Sequence, residues 1–317
     1  SAATAATMTR VALPEMKKHG YSERLATGVI AAGGTLGVLI PPSIALAVYG
    51  LLTQQSVGLL FMAGVVPGII AIAMYMLVVK VWLAVRPQDA PVGQQAAMRE
   101  RLSSLTRLGP IMLLILFVIG GIYGGLFTPT EAGAVGAAGA IAIVALGKRL
   151  SWKTLFSSLA ESVRMGAAIL LIMAGAVLFG YFLAVTETPQ KAAQLLIDAD
   201  LGRYGTLLVI IGIMLVLGCL IDALAVVILI VPLVYPIVMQ LGFDPIWFGV
   251  IVTMCVELGL ITPPFGLNVF VIKGLSKRTD IWTIYKGVTP FIIVDLLRIG
   301  LLIAFPSLVL FLPDMAR

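Results

Sequence analysis

The 317-residue chain is 60% hydrophobic and 11% charged, with a mean hydropathy of +1.10, whereas soluble domains carry about 25% charge. So much apolar surface excludes a single water-soluble core and predicts one all-α, polytopic membrane protein lying in a lipid bilayer. The net charge of +6 does not point to nucleic acid, because Lys and Arg fall in short connectors between apolar runs.

The chain opens on SAATAATMT, with no charged n-region followed by an apolar stretch, so a signal sequence is not indicated and the chain reads as starting inside a longer protein. Apolar runs then cover 26–52, 57–85, 110–127, 132–146, 166–185, 206–241, 249–274 and 288–312. Two polar connectors interrupt them. The first, 86–108, ends in an amphipathic piece near 98–108, and the second, 148–164, is basic and amphipathic; both read as interfacial helices or cytoplasmic loops. Cys219 and Cys255 sit alone inside apolar segments, which argues against a disulfide framework or a zinc site. His19, the single histidine, lies beside Lys17 and Lys18 and reads as solvated. With no nucleophile and base spacing and no metal-ligand pattern, an enzyme is not indicated.

Basic residues set the orientation. Arg86, Arg99, Arg101 and Arg107 in one connector, and Lys148, Arg149, Lys153 and Arg164 in another, place both on the cytoplasmic side, with Thr128 to Glu131 outside between them. Glu131, close to Pro129, reads as a helix-start cap. The outer connector 186–205 sets Glu187, Asp198 and Asp200 against Lys191 and Arg203. Since Lys273, Lys277 and Arg278 follow the run 249–274, that run returns inward. The run 206–241 then has to enter and leave on one face, as a re-entrant hairpin turning at Gly218 to Asp222.

Punctuating residues recur along the chain. Pro14, Gly20, Gly37, Pro41 and Pro42 reappear 222 positions later as Pro236, Gly242, Gly259, Pro263 and Pro264, and Gly64 and Pro67 recur 223 later as Gly287 and Pro290. Ordered anchors of this kind indicate an internal duplication. By the charge argument its halves cross in opposite senses, the inverted-topology repeat found in many secondary transporters. Matching the second repeat onto the first predicts about 114 further residues before Ser1 and a natural chain of roughly 430.

Chemistry concentrates where the repeat is broken. Pro41-Pro42 and Pro263-Pro264 each remove two backbone donors and clash with the preceding turn, so each helix has to open and strand carbonyl groups. At bilayer depth such groups need another partner; Na⁺ suits carbonyl, hydroxyl and carboxylate oxygens, and the resumed half-helix offers N–H groups to an anion. The alternative for each pair is a kink satisfied by neighbouring helices. Asp222 reads as a cation ligand or hairpin-tip orienter, or as the cap of the second hairpin helix. Glu257 is open between pairing with a cation and facing the site, and Asp295 with Arg298 reads as an i,i+3 pair.

These residues resemble the large membrane subunit, M or DctM-like, of tripartite ATP-independent periplasmic (TRAP) transporters. The motifs are PEMKKHGY (Pro14 to Tyr21), LIPPSI (Leu39 to Ile44), LGCLIDALAVVILIVPLVYP (Leu217 to Pro236), the DPxxFG element between Gly242 and Gly249, and GLITPPFGLNVFV (Gly259 to Val271). The resemblance implies an elevator-type transporter in the bacterial inner membrane. It also implies Na⁺ coupling at two sites, a smaller four-helix membrane subunit, and a periplasmic binding protein that delivers a small organic anion such as a C4-dicarboxylate, a sialic or other sugar acid, or a keto acid. Carried onto this chain, one Na⁺ site would use Gly37, Ile40 and Pro42, completed by a hairpin preceding Ser1. The second would use Gly218, Gly259, Thr262 and Phe265. Ser43, Asp222, Asn268 and Thr35 are the substrate-facing candidates. The implied division is a transport domain of 1–56 and 206–276, scaffold helices at 57–205, and a connecting and last scaffold helix at 277–317. Two competing readings are a sodium/dicarboxylate symporter that needs no binding protein, disfavoured because GCLID lacks a Ser-Asn-Thr tip, and an ion channel, disfavoured because the few intramembrane charges line no pore.

Overall fold

In the computed structural model the described residues are 2–91, 98–148, 150–188, 191, 201–276 and 279–316. Arg149, Asp198, Asp200, Lys277 and Arg278, and the side chains of Arg99, Arg101 and Arg107, all used above for orientation, lie outside that description. Among the described residues every regular element is a helix. Of the described helical segments, seven are long and apolar enough to cross a membrane, which makes the chain a polytopic all-α membrane protein.

The chain forms two compact units, one of Ser1–Pro91 with Ala176–Arg317 and one of Val92–Gly175. In the first, helix α1 (Ala2–Lys18) ends at Gly20, whose φ of +81° is a left-handed conformation open to glycine. Ser22 then caps α2 (Glu23–Leu39) by accepting from Leu25 N–H at 3.2 Å. The helix stops at Ile40, and after the Pro41-Pro42 pair Ser43 caps α3 (Ile44–Thr53). Ser56 caps the long α4 (Val57–Val85).

The later part of this unit holds α8 (Gly202–Leu220) and α9 (Ala223–Gln240), joined by a tight turn at Ile221 and Asp222. That is where the hairpin turn is predicted. Gly242, with φ of +74°, ends α9, and Asp244 caps α10 (Pro245–Gly259) through Ile246 N–H at 2.8 Å and Trp247 N–H at 3.0 Å. A non-helical stretch carries Pro263-Pro264 to α11 (Leu267–Leu275), and Asp280 caps α12 (Ile281–Ala304), which is followed by α13 (Ser307–Ala316). Every residue of α10 from Ile246 to Gly259 is buried, as expected of a helix apolar on all sides. It packs against α8, α9, α2, α3, α4, α12 and α13 and so forms the centre of the unit. α2 lies against α12 so closely that a Cβ at Gly28 would stand 2.3 Å from Gly287 O.

The second unit holds α5 (Met98–Tyr123), α6 (Pro129–Leu146) and the start of α7 (Trp152–Val185). α5 packs on α6, with Leu114 filling the space a Cβ at Gly139 would take. Thr128 and Glu131 form a reciprocal capping box at the start of α6, the role predicted for Glu131. Both polar connectors contribute helix: the stretch 98–108 forms the first turns of α5, and the part of 148–164 from Trp152 onward belongs to α7. The stretch 98–108 has no Gly or Pro before Gly109 to end the helix. His19 is solvated as predicted, its ring 66% exposed and 3.8 Å from Glu15.

Candidate functional site

The two prolines of each break act on specific carbonyls. In a continuous helix the N–H of residues 41 and 42 would serve the carbonyls of Gly37 and Val38, and those of residues 263 and 264 would serve Gly259 and Leu260. Proline has no N–H to give. In both breaks the second carbonyl finds a replacement: the Ser43 hydroxyl donates to Val38 O, and the backbone N–H of Asn268 donates to Leu260 O at 2.9 Å. Among the described residues no donor replaces the one lost at Gly37 or Gly259. These two glycines occupy equivalent positions, 222 apart, and both are predicted ion ligands.

Around the second break the structure brings several predicted residues together. Gly218, in the last turn of α8, touches Gly259 backbone to backbone; a Cβ on Gly259 would lie 2.4 Å from both the carbonyl carbon and oxygen of Gly218. Gly218, Asp222 and Phe265 line one cavity of 250 Å³ with Leu260, Leu267 and Phe270. The Thr262 hydroxyl donates its proton to Leu258 O at 2.7 Å, which leaves its oxygen lone pairs available. Asp222 caps α9, its Oδ2 accepting from Leu224 N–H at 3.1 Å while the side chain stays exposed.

At the first break, Ile40 closes α2 by donating to Leu36 O at 3.0 Å. Pro42 and Gly37 are exposed, and Ser43 is 2% exposed. Val38 and Ala45, which flank this break, pack in one apolar cluster with Leu260 of the second break and with Ala223 and Leu224 beside Asp222. That cluster ties the two breaks and the hairpin turn into one neighbourhood. Asn268 is fully buried and spans to α2, its Nδ2 donating to Ala31 O at 3.3 Å, while its Oδ1 is a buried acceptor without a hydrogen bond. Thr35 is set apart from the others. Its hydroxyl donates to Ala32 O at 2.7 Å and stands 3.4 Å from Tyr75 Oη, which places it beside a different group of polar residues.

That group was only partly visible in the sequence. Arg298 Nη2 lies 2.8 Å from Glu257 Oε2 and 2.9 Å from Asp295 Oδ1, and the Tyr75 hydroxyl donates to Asp295 Oδ2 at 2.6 Å. Glu257, Asp295 and Arg298 are each at most 1% exposed. The i,i+3 pair is present, and the open question over Glu257 resolves to a cation partner on α12. Reading the sequence also passed over Tyr285, whose hydroxyl stands 2.9 Å from Pro264 O and 3.0 Å from Phe265 O and so holds the carbonyl face of the second break. It lies on α12, 20 residues beyond Phe265 and one helix past the half-helix that resumes after the break, a separation no local pattern encodes.

A family model for the tripartite ATP-independent periplasmic transporter, DctM component, matches residues 1–308. The chain belongs to the DctM family. Among curated relatives of this DctM-family permease is the C4-dicarboxylate TRAP transporter large permease protein DctM of Pseudomonas aeruginosa. It is 34% identical over 315 residues, covering 99% of this chain and 73% of the relative. The Sialic acid TRAP transporter permease protein SiaT of Haemophilus influenzae is 33% identical over 301 residues, covering 95% of this chain and 48% of that one. The Ectoine/5-hydroxyectoine TRAP transporter large permease protein UehC of Ruegeria pomeroyi is 33% identical over 306 residues, covering 96% and 70%. These relatives are named as permeases. With seven segments among the described residues long and apolar enough to cross a membrane, the DctM-family chain is a multi-pass inner-membrane protein.

Proposed function

We propose that this permease is the translocating subunit of a sodium-coupled uptake system for a small organic anion. The observation that carries the reading is the pair of equivalent glycine carbonyls, at Gly37 and Gly259, whose helical donors the prolines remove and no described residue replaces. Orphaned carbonyl oxygens at membrane depth favour a hard monovalent cation that can shed its water. Among the described residues no three His, Cys, Asp or Glu side chains cluster, so an ion held at the breaks would rest on carbonyls and hydroxyls. Ile40 and Pro42 would join Gly37 in the first site, which a hairpin preceding Ser1 would complete; Gly218, Thr262 and the Phe265 carbonyl, which competes with Tyr285 for its place, would complete the second.

Substrate would meet the exposed carboxylate of Asp222 and the polar edges of Ser43 and Asn268, with Na⁺ offsetting like charge between Asp222 and an anion. Relatives named for C4-dicarboxylate, sialic acid and ectoine support a small polar organic solute, with the choice among organic acids resting on the binding protein that presents it. The matching helix boundaries support an inverted repeat: Gly20 and Gly242 both adopt positive φ, α2 and α10 both run into a Pro-Pro break, and α3 and α11 both resume after it. In this reading the unit carrying both breaks moves as the transport element of an elevator, working with a small four-helix subunit and a periplasmic binding protein.

The test is uptake in proteoliposomes that hold the full permease and its small subunit. Uptake of the anion is expected only with an inward Na⁺ gradient and with the cognate binding protein added. Transport that needs neither would overturn the proposal.

A further inference from the structure

Between the start of α2, the second half of α4 and the middle of α12 runs a cavity of 430 Å³ that belongs to neither break. Its α4 wall is a stripe of Leu77, Val78, Val81 and Val85, spaced three and four apart on one helix face, and Ile293 and Val294 of α12 stand across from it. Arg24 and Arg86 also line the cavity, which is otherwise almost wholly apolar. The Arg24 guanidinium stacks over Trp82 at 5.1 Å from the ring centroid. The indole is held in turn by donating from its Nε1 to Asp89 Oδ2 at 2.7 Å.

The two cations of this cavity outnumber the one carboxylate, Asp89, that stands beside its tryptophan. Lys17 pairs with Glu23 and Arg298 with two carboxylates, but neither Arg24 nor Arg86 is ion-paired among the described residues. The Nε of Arg24 is buried without a hydrogen-bond partner. Depth agrees with charge. Arg24 is the second residue of the spanning segment Glu23–Thr53, and Arg86 follows directly on the segment Val57–Val85, so both cations stand where a spanning segment ends. From Arg86 back to Met74, the far end of the α4 wall, a helix rises roughly 18 Å, close to the 15 Å or so of one hydrocarbon leaflet. A tryptophan at the charged end is the side chain expected at headgroup level.

We propose that this trough binds a phospholipid with an anionic headgroup, one acyl chain lying along α4 and the phosphate held by Arg24 and Arg86. A zwitterionic lipid carries its own cation beside the phosphate and gains less from two unpaired guanidinium groups. The proposal is independent of sodium coupling.

Native mass spectrometry of the full permease, delipidated in detergent and titrated with phosphatidylglycerol or with phosphatidylcholine of the same acyl chains, tests it. Wild type is expected to hold phosphatidylglycerol on the order of tenfold more tightly. The Arg24→Gln/Arg86→Gln variant is expected to lose that preference yet still bind phosphatidylcholine. Val81→Trp, made at a position 54% exposed on the trough wall, keeps both arginines and is expected to weaken both lipids by filling the groove. Excess inorganic phosphate is expected to displace neither lipid. Equal binding of the two lipids by wild type, an unchanged preference in the double variant, undiminished binding by Val81→Trp, or displacement by inorganic phosphate would each overturn the proposal.

Discussion

Arg298 stands between two carboxylates in a region with almost no water, so its two neighbours are not equivalent to it energetically. Removing the cation, as in Arg298→Met, leaves Glu257 and Asp295 buried with no counter-charge, and losing one partner of a buried pair costs about 3–5 kcal/mol. Glu257→Gln instead leaves one carboxylate with one guanidinium and keeps an acceptor oxygen where Oε2 now meets Nη2 at 2.8 Å. Thermal unfolding of the detergent-solubilised permease should therefore drop steeply for Arg298→Met and little for Glu257→Gln. Equal losses would show that the excess negative charge plays no part. Two changes at the second break separate binding from folding in a similar way. Asn caps a helix as well as Asp does, so Asp222→Asn keeps the turn into α9 and tests only the charge; anion uptake is expected to fall while unfolding temperature holds. Thr262→Val removes a hydroxyl of equal size, and loss of one ligand oxygen to a cation is worth about 1.5–3 kcal/mol, so half-saturation by Na⁺ should rise at least tenfold in uptake assays. Thr262→Ser should restore it, and an unchanged Na⁺ dependence in Thr262→Val would remove this residue from the site.

At the level of the element, the caps differ in how much rests on them. Ser56 caps α4 from an exposed position, whereas Ser43 caps α3 and also donates to the Val38 carbonyl that Pro42 leaves without an amide. Ser56→Ala should cost about 1 kcal/mol, and Ser43→Ala about 1–3 kcal/mol more, because a buried acceptor goes unserved; comparing the two unfolding temperatures checks the difference. The breaks were legible because proline's missing N–H is a covalent fact, and the ordered recurrence of Gly and Pro at offsets of 222 and 223 reports backbone rather than packing. The turn at Ile221 and Asp222 was placed by the orientation of the flanking runs, which asks the chain to double back midway along 206–241. The buried ion cluster was not. Glu257 and Arg298 lie 41 residues apart and Tyr75 lies 220 from Asp295, so helical spacing could show only the Asp295–Arg298 pair. The amphipathic stretch at 98–108 is helical, and its continuity with α5 was not legible because its charges mark a change of surroundings while nothing in its backbone chemistry stops the helix from continuing.

For the molecule as a whole, the two breaks share a compact unit and an apolar cluster that joins Val38, Ala45 and Leu260. An ion that binds the folded state alone stabilises it by mass action, by about 2.7 kcal/mol at a hundred times its dissociation constant. If carbonyls freed at Gly37 and Gly259 are the ligands, NaCl should raise the unfolding temperature of the full permease while KCl or choline chloride at equal ionic strength should not, since screening acts alike for all three. Gly259→Ala offers a stricter form of this test. Its Cβ would stand 2.4 Å from the Gly218 carbonyl, so α8 and α10 have to separate, with a packing cost of about 1–3 kcal/mol. Separation also moves two of the proposed ligands apart, so this variant should lose much of the Na⁺-specific part of its stabilisation in addition to its baseline stability. Thr262→Val should lose a similar share of the Na⁺ effect with little change in baseline. A purely structural role for the Gly218–Gly259 contact predicts a lower baseline for Gly259→Ala with the sodium increment intact, and calorimetric titration with NaCl distinguishes the two.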